Sequence, residues 1–250
     1  MTRCILFKLM RPNNKRSCTF AALAALLSFL ALARTISHAA EPDSGKWEKD
    51  IAAFEASDKT NPPPRNAILF IGSSSIRMWK TLAQDFSDQN VINRGFGGSE
   101  IADSVHFADR IVLPYRPRLI VLYAGGNDIH GGKTPEQVFA DFQAFVEKVR
   151  SKLPRTRLAY ISIAPNPARW AEVERVKSVN QLVADYVKQN PNKLDFIDVF
   201  PHLLGTDGLP KADIYLDDRL HMNAKGYELW TGLVRPHLGS AGKQSANAKK

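Results

Sequence analysis

Five short runs of the chain are apolar or nearly so: Ala67–Ile71, Val91–Asn93, Arg118–Ala124, Leu158–Ile163 and Leu194–Val199. Their length, their Pro, Gly and Asn borders and their weak alternation predict strands buried on both faces of a sheet. The segments between them carry helical spacing. Trp47, Ile51 and Phe54 mark a short helix over Lys46–Ala56, and Ile76 to Leu82 follows the first strand. Ile101, Val105, Ala108 and Ile111 or Val112 share one face of a helix that Ser99 would cap and that runs to about Val112. Thr134-Pro135-Glu136 starts a helix with an apolar stripe of Val138, Phe139, Phe142, Phe145, Val146 and Val149. Trp170 to Lys188 and Ala224 to Val234 supply two more, the last with Leu229 and Val234 inward. Alternating strands and helices predict a single three-layer α/β domain over residues 41–238, a mostly parallel sheet of about five strands with helices on both faces. No internal repeat or inter-domain linker interrupts it.

The ends of the chain change the picture of charge and compartment. Residues 1–40 hold Arg3, Lys8, Arg11, Lys15, Arg16 and Arg34 without an acid, around an apolar core from Thr19 to Ala33. About 15 residues fall short of the roughly 20 that span a bilayer, and Ser37-His38-Ala39-Ala40 offers a cleavage site. The segment predicts an export signal, cleaved near Glu41 or retained as an anchor, and hence a periplasmic or secreted protein. Both cysteines, Cys4 and Cys18, lie inside it, which excludes thiol chemistry and disulfide scaffolding from the domain itself. The formal net charge of +9 is largely a property of this segment: without its six cations, 28 basic residues face 25 acidic ones. With no basic stripe interleaved with aromatics, nucleic-acid binding is not expected. Residues 239–250 are small and polar, and predict a disordered tail.

The chemistry-bearing residues gather where apolar runs end. The first run stops at Gly72-Ser73-Ser74-Ser75, the second at Arg94-Gly95-Phe96-Gly97-Gly98-Ser99, the third at Gly125-Gly126-Asn127-Asp128. In open α/β sheets ligands bind at the carboxyl ends of the strands, so a serine there sits where chemistry is done. It needs a base, and the base needs an orienting acid. Of the five histidines beyond residue 40, His106 falls in a predicted helix, His237 near the last helix end, and His202 and His130 in loops without a clear partner. His221 alone sits in an irregular loop with acids just before it, Asp218 three residues back and Asp217 beside that. The bare amides of Gly97-Gly98 and the side-chain amide of Asn127 are suitable donors to an oxyanion.

Gly72-Ser73-Ser74, Gly98 within Asn93–Gly98, Gly125–Asp128 and Asp218-Arg219-Leu220-His221 resemble, in order and spacing, the four blocks of the SGNH hydrolases, or GDSL-type esterases. The resemblance covers nearly all of the chain beyond residue 40. It implies a flavodoxin-like fold, Ser74 as nucleophile, His221 as base, Asp218 as its orienting acid, and an oxyanion hole built from the Ser74 amide, the Gly98 amide and the Asn127 side chain. One departure stands out: the family usually has Asp between the glycine and the nucleophile, and this chain has Ser73, which leaves Ser73 and Ser75 as neighbouring alternatives.

The expected activity is that of an exported serine esterase working through an acyl-enzyme, without cofactor or metal, on a small-molecule, glycan or lipid ester. Transfer of the acyl group to an alcohol and a non-catalytic glycan-binding role are the alternatives. Ser73, together with Asn166, Arg169 and Trp170 after the fourth strand, is expected to shape the substrate pocket. Membrane contact is expected only through an uncleaved export segment. A nucleotide site fails on spacing: a G-x-x-x-x-G-K-[ST] loop ending at Gly132-Lys133-Thr134 requires glycine where Asn127 stands, and Glu100 occupies the third glycine position of a dinucleotide fingerprint begun at Gly95.

Overall fold

A computed structural model describes residues 44–239; the expected export segment and the tail beyond Gly239 lie outside the described residues. Among the described residues no helix is long and apolar enough to cross a membrane.

In chain order the elements are α1 (Glu48–Thr60), β1 (Ile68–Gly72), α2 (Ser74–Met78), α3 (Leu82–Asp85), β2 (Val91–Gly95), α4 (Ile101–His106), α5 (Ala108–Ile111), β3 (Leu119–Tyr123), α6 (Gly126–His130), α7 (Pro135–Lys152), β4 (Arg157–Ile161), α8 (Val173–Lys188), β5 (Leu194–Ile197) and α9 (Ala224–Val234). The five strands form one sheet in the order β2-β1-β3-β4-β5, with every pairing parallel. The apolar runs look continuous because each strand is covered on both faces. Leu69, Ile71, Ile120, Leu122 and Tyr160 point into a core shared with α1, α4, α7 and α8. Their alternates Ile68, Phe70, Val121, Ala159 and Ile161 point into a second core with Trp79, Leu82, Trp230 and Val234. The period of two along each strand thus divides one apolar run between two cores. In the second core Phe70 stacks on Phe86 at 5.6 Å and meets Trp79 edge-on at 5.7 Å.

Several boundaries differ from the sequence expectation. The helix over Lys46–Ala56 starts at Glu48 and runs on to Thr60. The one expected to run from Ser99 to about Val112 is two helices with a break at Phe107, and its N-cap is Glu100, whose N–H donates to Asp103 Oδ2 at 2.8 Å. Ser99 instead turns its hydroxyl inward to donate to Phe96 O at 2.8 Å, which tightens the glycine turn. The stretch after Ser75 also breaks, at Trp79, whose indole N–H donates to Asp85 at 2.6 Å while its ring fills the core. Pro167–Glu172 is a 3-10 segment preceding α8, and Thr134 caps α7 as expected, with its Oγ1 accepting from Gln137 N. Tyr227 and Trp230 carry more of the buried face of α9 than Leu229, which is partly buried.

Candidate active site

In the strand order 2-1-3-4-5 the chain leaves β1 toward one side for β2 and returns to the other side for β3, and the crevice at that switch point lies at the carboxyl ends of β1 and β3. Gly72 makes the exit from β1. Its φ is +140°, and a Cβ there would stand 1.9 Å from Tyr123 O on β3, so only glycine fits. Ser73 then takes the N-cap position, its N–H donating to Tyr123 O at 3.0 Å, and Ser74 opens α2. A residue in the first turn of a helix has no intrahelical acceptor for its N–H, so the Ser74 amide is available to a ligand.

Of the three adjacent serines, Ser74 is the one whose Oγ reaches an imidazole: His221 Nε2 lies 2.8 Å away. The other ring nitrogen, Nδ1, lies 2.6 Å from Asp218 Oδ2, and Asp218 Oδ1 accepts from the Leu220 and His221 amides, both at 2.9 Å. Burial pulls the Asp218 pKa upward, but these backbone and imidazole hydrogen bonds outweigh it and hold the carboxyl at about 2. An ionised Asp218 therefore stands behind His221 throughout the neutral range. Two other histidines pair with carboxylates, His130 with Glu172 at 2.7 Å and His237 with Asp195 at 2.8 Å. Only His221 has a serine hydroxyl on its second nitrogen among the described residues. Asp217, next to Asp218, is exposed and makes no hydrogen bond to the described residues.

Across the crevice stand the amide donors. Gly98 has φ +78° and an N–H without a partner among the described residues. Asn127, on the first turn of α6, donates one Nδ2 hydrogen to Ser99 O at 3.0 Å and accepts from Arg169 Nη1 at 3.0 Å through Oδ1. Arg169 also donates to Gly126 O at 3.1 Å, so one guanidinium fixes which way the Asn127 amide faces. The second Nδ2 hydrogen is left for a ligand. Asp128 faces away from the crevice and is fully buried; its Oδ1 accepts from Ile101 N at 3.1 Å.

Two openings meet at Ser74 and His221. The enclosed one, about 40 Å³, is lined by Ser73, Tyr123, Ile163, Asn166, Tyr215 and Met222 among others. The open one, about 300 Å³, is walled by Gly97, Gly98, Arg77, Asp50, Asn127 and Arg169. Of the residues expected to shape a substrate pocket, Ser73 and Asn166 line the first opening and Arg169 lines both. Trp170 instead lines an adjacent small cleft with Glu172 and Val176. Sequence reasoning missed Tyr123, Met222 and Arg77; Tyr215 ends the irregular stretch 200–215, which the sequence offers as a candidate pocket wall. Tyr123 and Met222 look like ordinary core residues in the pattern, whereas Arg77, one helical turn past Ser74, could have been found from its i,i+3 spacing on the same helix face.

A flavodoxin-like sheet with a serine, an imidazole and a carboxylate in line at its switch point defines the class of SGNH-type hydrolase folds. Within that class the chain belongs to the GDSL-like lipase/acylhydrolase family, whose model matches residues 70–229 and so takes in Ser74, Gly98, Asn127, Asp218 and His221; it is a hydrolase. The chain is 28% identical over 87 residues to esterase TesA of Pseudomonas aeruginosa, a stretch covering 35% of this chain and 43% of that esterase, less than half its length. Solved structures that share the fold include the following two. A Streptococcus pneumonia protein named for platelet activating factor matches with a TM-score of 0.68 at 21% identity, over 88% of this chain and 99% of its own. A GDSL-like lipase of Bacteroides thetaiotaomicron matches with a TM-score of 0.63 at 20% identity, over 78% and 96%.

Proposed function

We propose that this hydrolase is an exported serine esterase that cleaves carboxylic esters of short acyl chains. The observation that carries the proposal is the run of short contacts from Asp218 through His221 to Ser74. In the proposed reaction, His221 Nε2 takes the Ser74 proton as Oγ attacks the ester carbonyl, and Asp218 stabilises the imidazolium across the 2.6 Å contact. The tetrahedral oxyanion is held by the Ser74 and Gly98 N–H groups and the free Nδ2 hydrogen of Asn127. The C–O bond to the leaving alcohol then breaks as His221 returns the proton to it. Water, deprotonated by the same imidazole, hydrolyses the acyl-enzyme.

The size of the enclosed opening supports a short acyl group. A volume of about 40 Å³ is enough for about three or four waters, each needing about 10–15 Å³ by the same measure. That suits an acetyl group and not a long chain. The open side then takes the alcohol. Export is supported by the acid-free basic and apolar character of residues 1–40.

The test is a 4-nitrophenyl ester series from acetate to dodecanoate, with wild type beside Ser74→Ala. Turnover is expected to peak at acetate and to vanish in the variant. Turnover that survives Ser74→Ala overturns the mechanism, and a maximum at eight carbons or more overturns the short-acyl assignment.

A further inference from the structure

The open side of the crevice carries two guanidinium groups that form no ion pair with an acid among the described residues. Arg94, Arg110, Arg157 and Arg235 all form ion pairs with carboxylates. Arg77 has neither an ion pair nor a side-chain hydrogen bond to the described residues, and it is exposed at the crevice wall that Ser74 and His221 share. Arg169 donates only to the neutral oxygens of Gly126 and Asn127. Asp50 is the one carboxylate on this wall, and it pairs with neither arginine. Two guanidinium groups unpaired among the described residues thus stand beside the bond to be broken, while the ionised Asp218 lies behind His221, bound to its far nitrogen.

Arg77 is also given room. A Cβ on Gly97 would stand 2.7 Å from its Nε and 3.0 Å from its Nη2, so the guanidinium lies across the bare backbone of Gly97. Unlike Gly72 and Gly98, Gly97 has no left-handed φ that would itself require glycine. A side chain at Gly97 would displace the guanidinium from this position. A guanidinium laid across the oxyanion loop, with its remaining N–H groups free, is a receptor for a planar anionic group.

We propose that the alcohol portion of the substrate carries a carboxylate, held on the open wall by Arg77 and the charge of Arg169. This rests on the esterase reading, with the acyl group in the enclosed pocket and the alcohol outside it.

The probes are 4-acetoxybenzoate and its neutral isostere 4-acetoxybenzamide, given to the full chain at low salt. The ratio of their kcat/KM values is expected to favour the carboxylate by about two- to fivefold, the effect of one solvent-accessible guanidinium–carboxylate contact. That ratio should fall toward one in Arg77→Gln, fall in Gly97→Ala, survive in Arg77→Lys, and shrink in 0.5 M salt as the charges are screened. Calorimetric binding of both probes to Ser74→Ala reads the same preference without turnover. A wild-type preference at or below one, or a preference that Arg77→Gln leaves intact, overturns the proposal while acetyl hydrolysis stands. If neither probe is hydrolysed the esterase reading falls, and the binding ratio still decides whether the wall selects a carboxylate.

Discussion

The two walls of the crevice are built in opposite ways. The wall carrying Gly98 and Asn127 is braced by residues far apart in sequence. Asn127 is tied to Ser99 and Arg169, buried Asp128 holds the start of α4 through Ile101 N, and Lys133 reaches Glu100 at 2.8 Å and Asp141 at 2.6 Å. The wall carrying His221 is held mostly from within its own loop. Asp218 is three residues away, Leu216 N donates to His221 O at 2.7 Å, Tyr215 bridges Met222, and the Asp218 side chain is 47% exposed. Stabilising an oxyanion requires donors that do not reorganise as charge develops, which suits the braced wall. Exchanging protons requires only that one imidazole be aimed and its charged form stabilised, which a local turn can do. The two walls should therefore respond differently to substitution.

The sharpest separation is expected at Asp218. Asp218→Asn should lower kcat for a 4-nitrophenyl ester by about 10³–10⁴-fold, by removing the charge behind the imidazolium and mis-setting its tautomer. It should move the melting temperature little, because the carboxylate is half exposed and its partners are local. Comparable losses of stability and activity would break the comparison, since they would make the loop a structural brace as well.

The braced wall is expected to show itself in stability against pH. Burial raises the Asp128 carboxyl to about 6, against the attraction of Lys133 at 3.4 Å and with help from Glu100. Its second oxygen, Oδ2, is buried without a hydrogen-bond partner among the described residues. A carboxyl with a folded pKa above its unfolded value of 3.8 holds its proton more tightly when folded. Its contribution to stability is full below about pH 4 and is lost as pH rises through about 6, by up to about 3 kcal/mol for a shift of this size. Asp128→Asn keeps an acceptor for Ile101 N and removes the titration. Denaturant unfolding of both proteins from pH 4 to 7 should therefore give a difference curve that slopes in this window, the variant gaining relative to wild type as pH rises. A flat difference curve would mean that Lys133 stabilises the ionised form fully.

How much of each wall was legible in the sequence follows from the same contrast. The His221 loop was legible because its partners are local: Asp218 lies at a spacing that a turn converts directly into contact. The strands and their order of succession were legible because apolar runs and glycine turns are local signals too. The braces of the other wall were not. Arg169 reaches Asn127 across 42 positions and Ile101 reaches Asp128 across 27, and no periodicity encodes such contacts. Ser99 was misread as a helix cap for the same reason, because a hydroxyl beside a helix start does not reveal that its bond runs backward to Phe96. Ser74 was favoured over Ser73 and Ser75 by its position after Gly72, a local signal, whereas the contact of its hydroxyl with His221 is a product of the whole fold.

The smallest expected effect tests the local wall most finely. Asp217 and Asp218 are adjacent acids, and spacing alone does not choose between them. The turn does: Asp218 receives the Leu220 and His221 amides and the imidazole, while Asp217 points to solvent with no hydrogen bond to the described residues. An exposed carboxylate near an imidazolium adds little through water, typically a few tenths of a kcal/mol. Asp217→Asn should accordingly change kcat by less than about twofold at 0.15 M salt, with at most a slight further drop at low salt where screening is weaker. A loss approaching that of Asp218→Asn would mean that the loop exchanges its two acids at His221 during turnover, so that the loose wall contributes by moving and not by aiming one carboxylate.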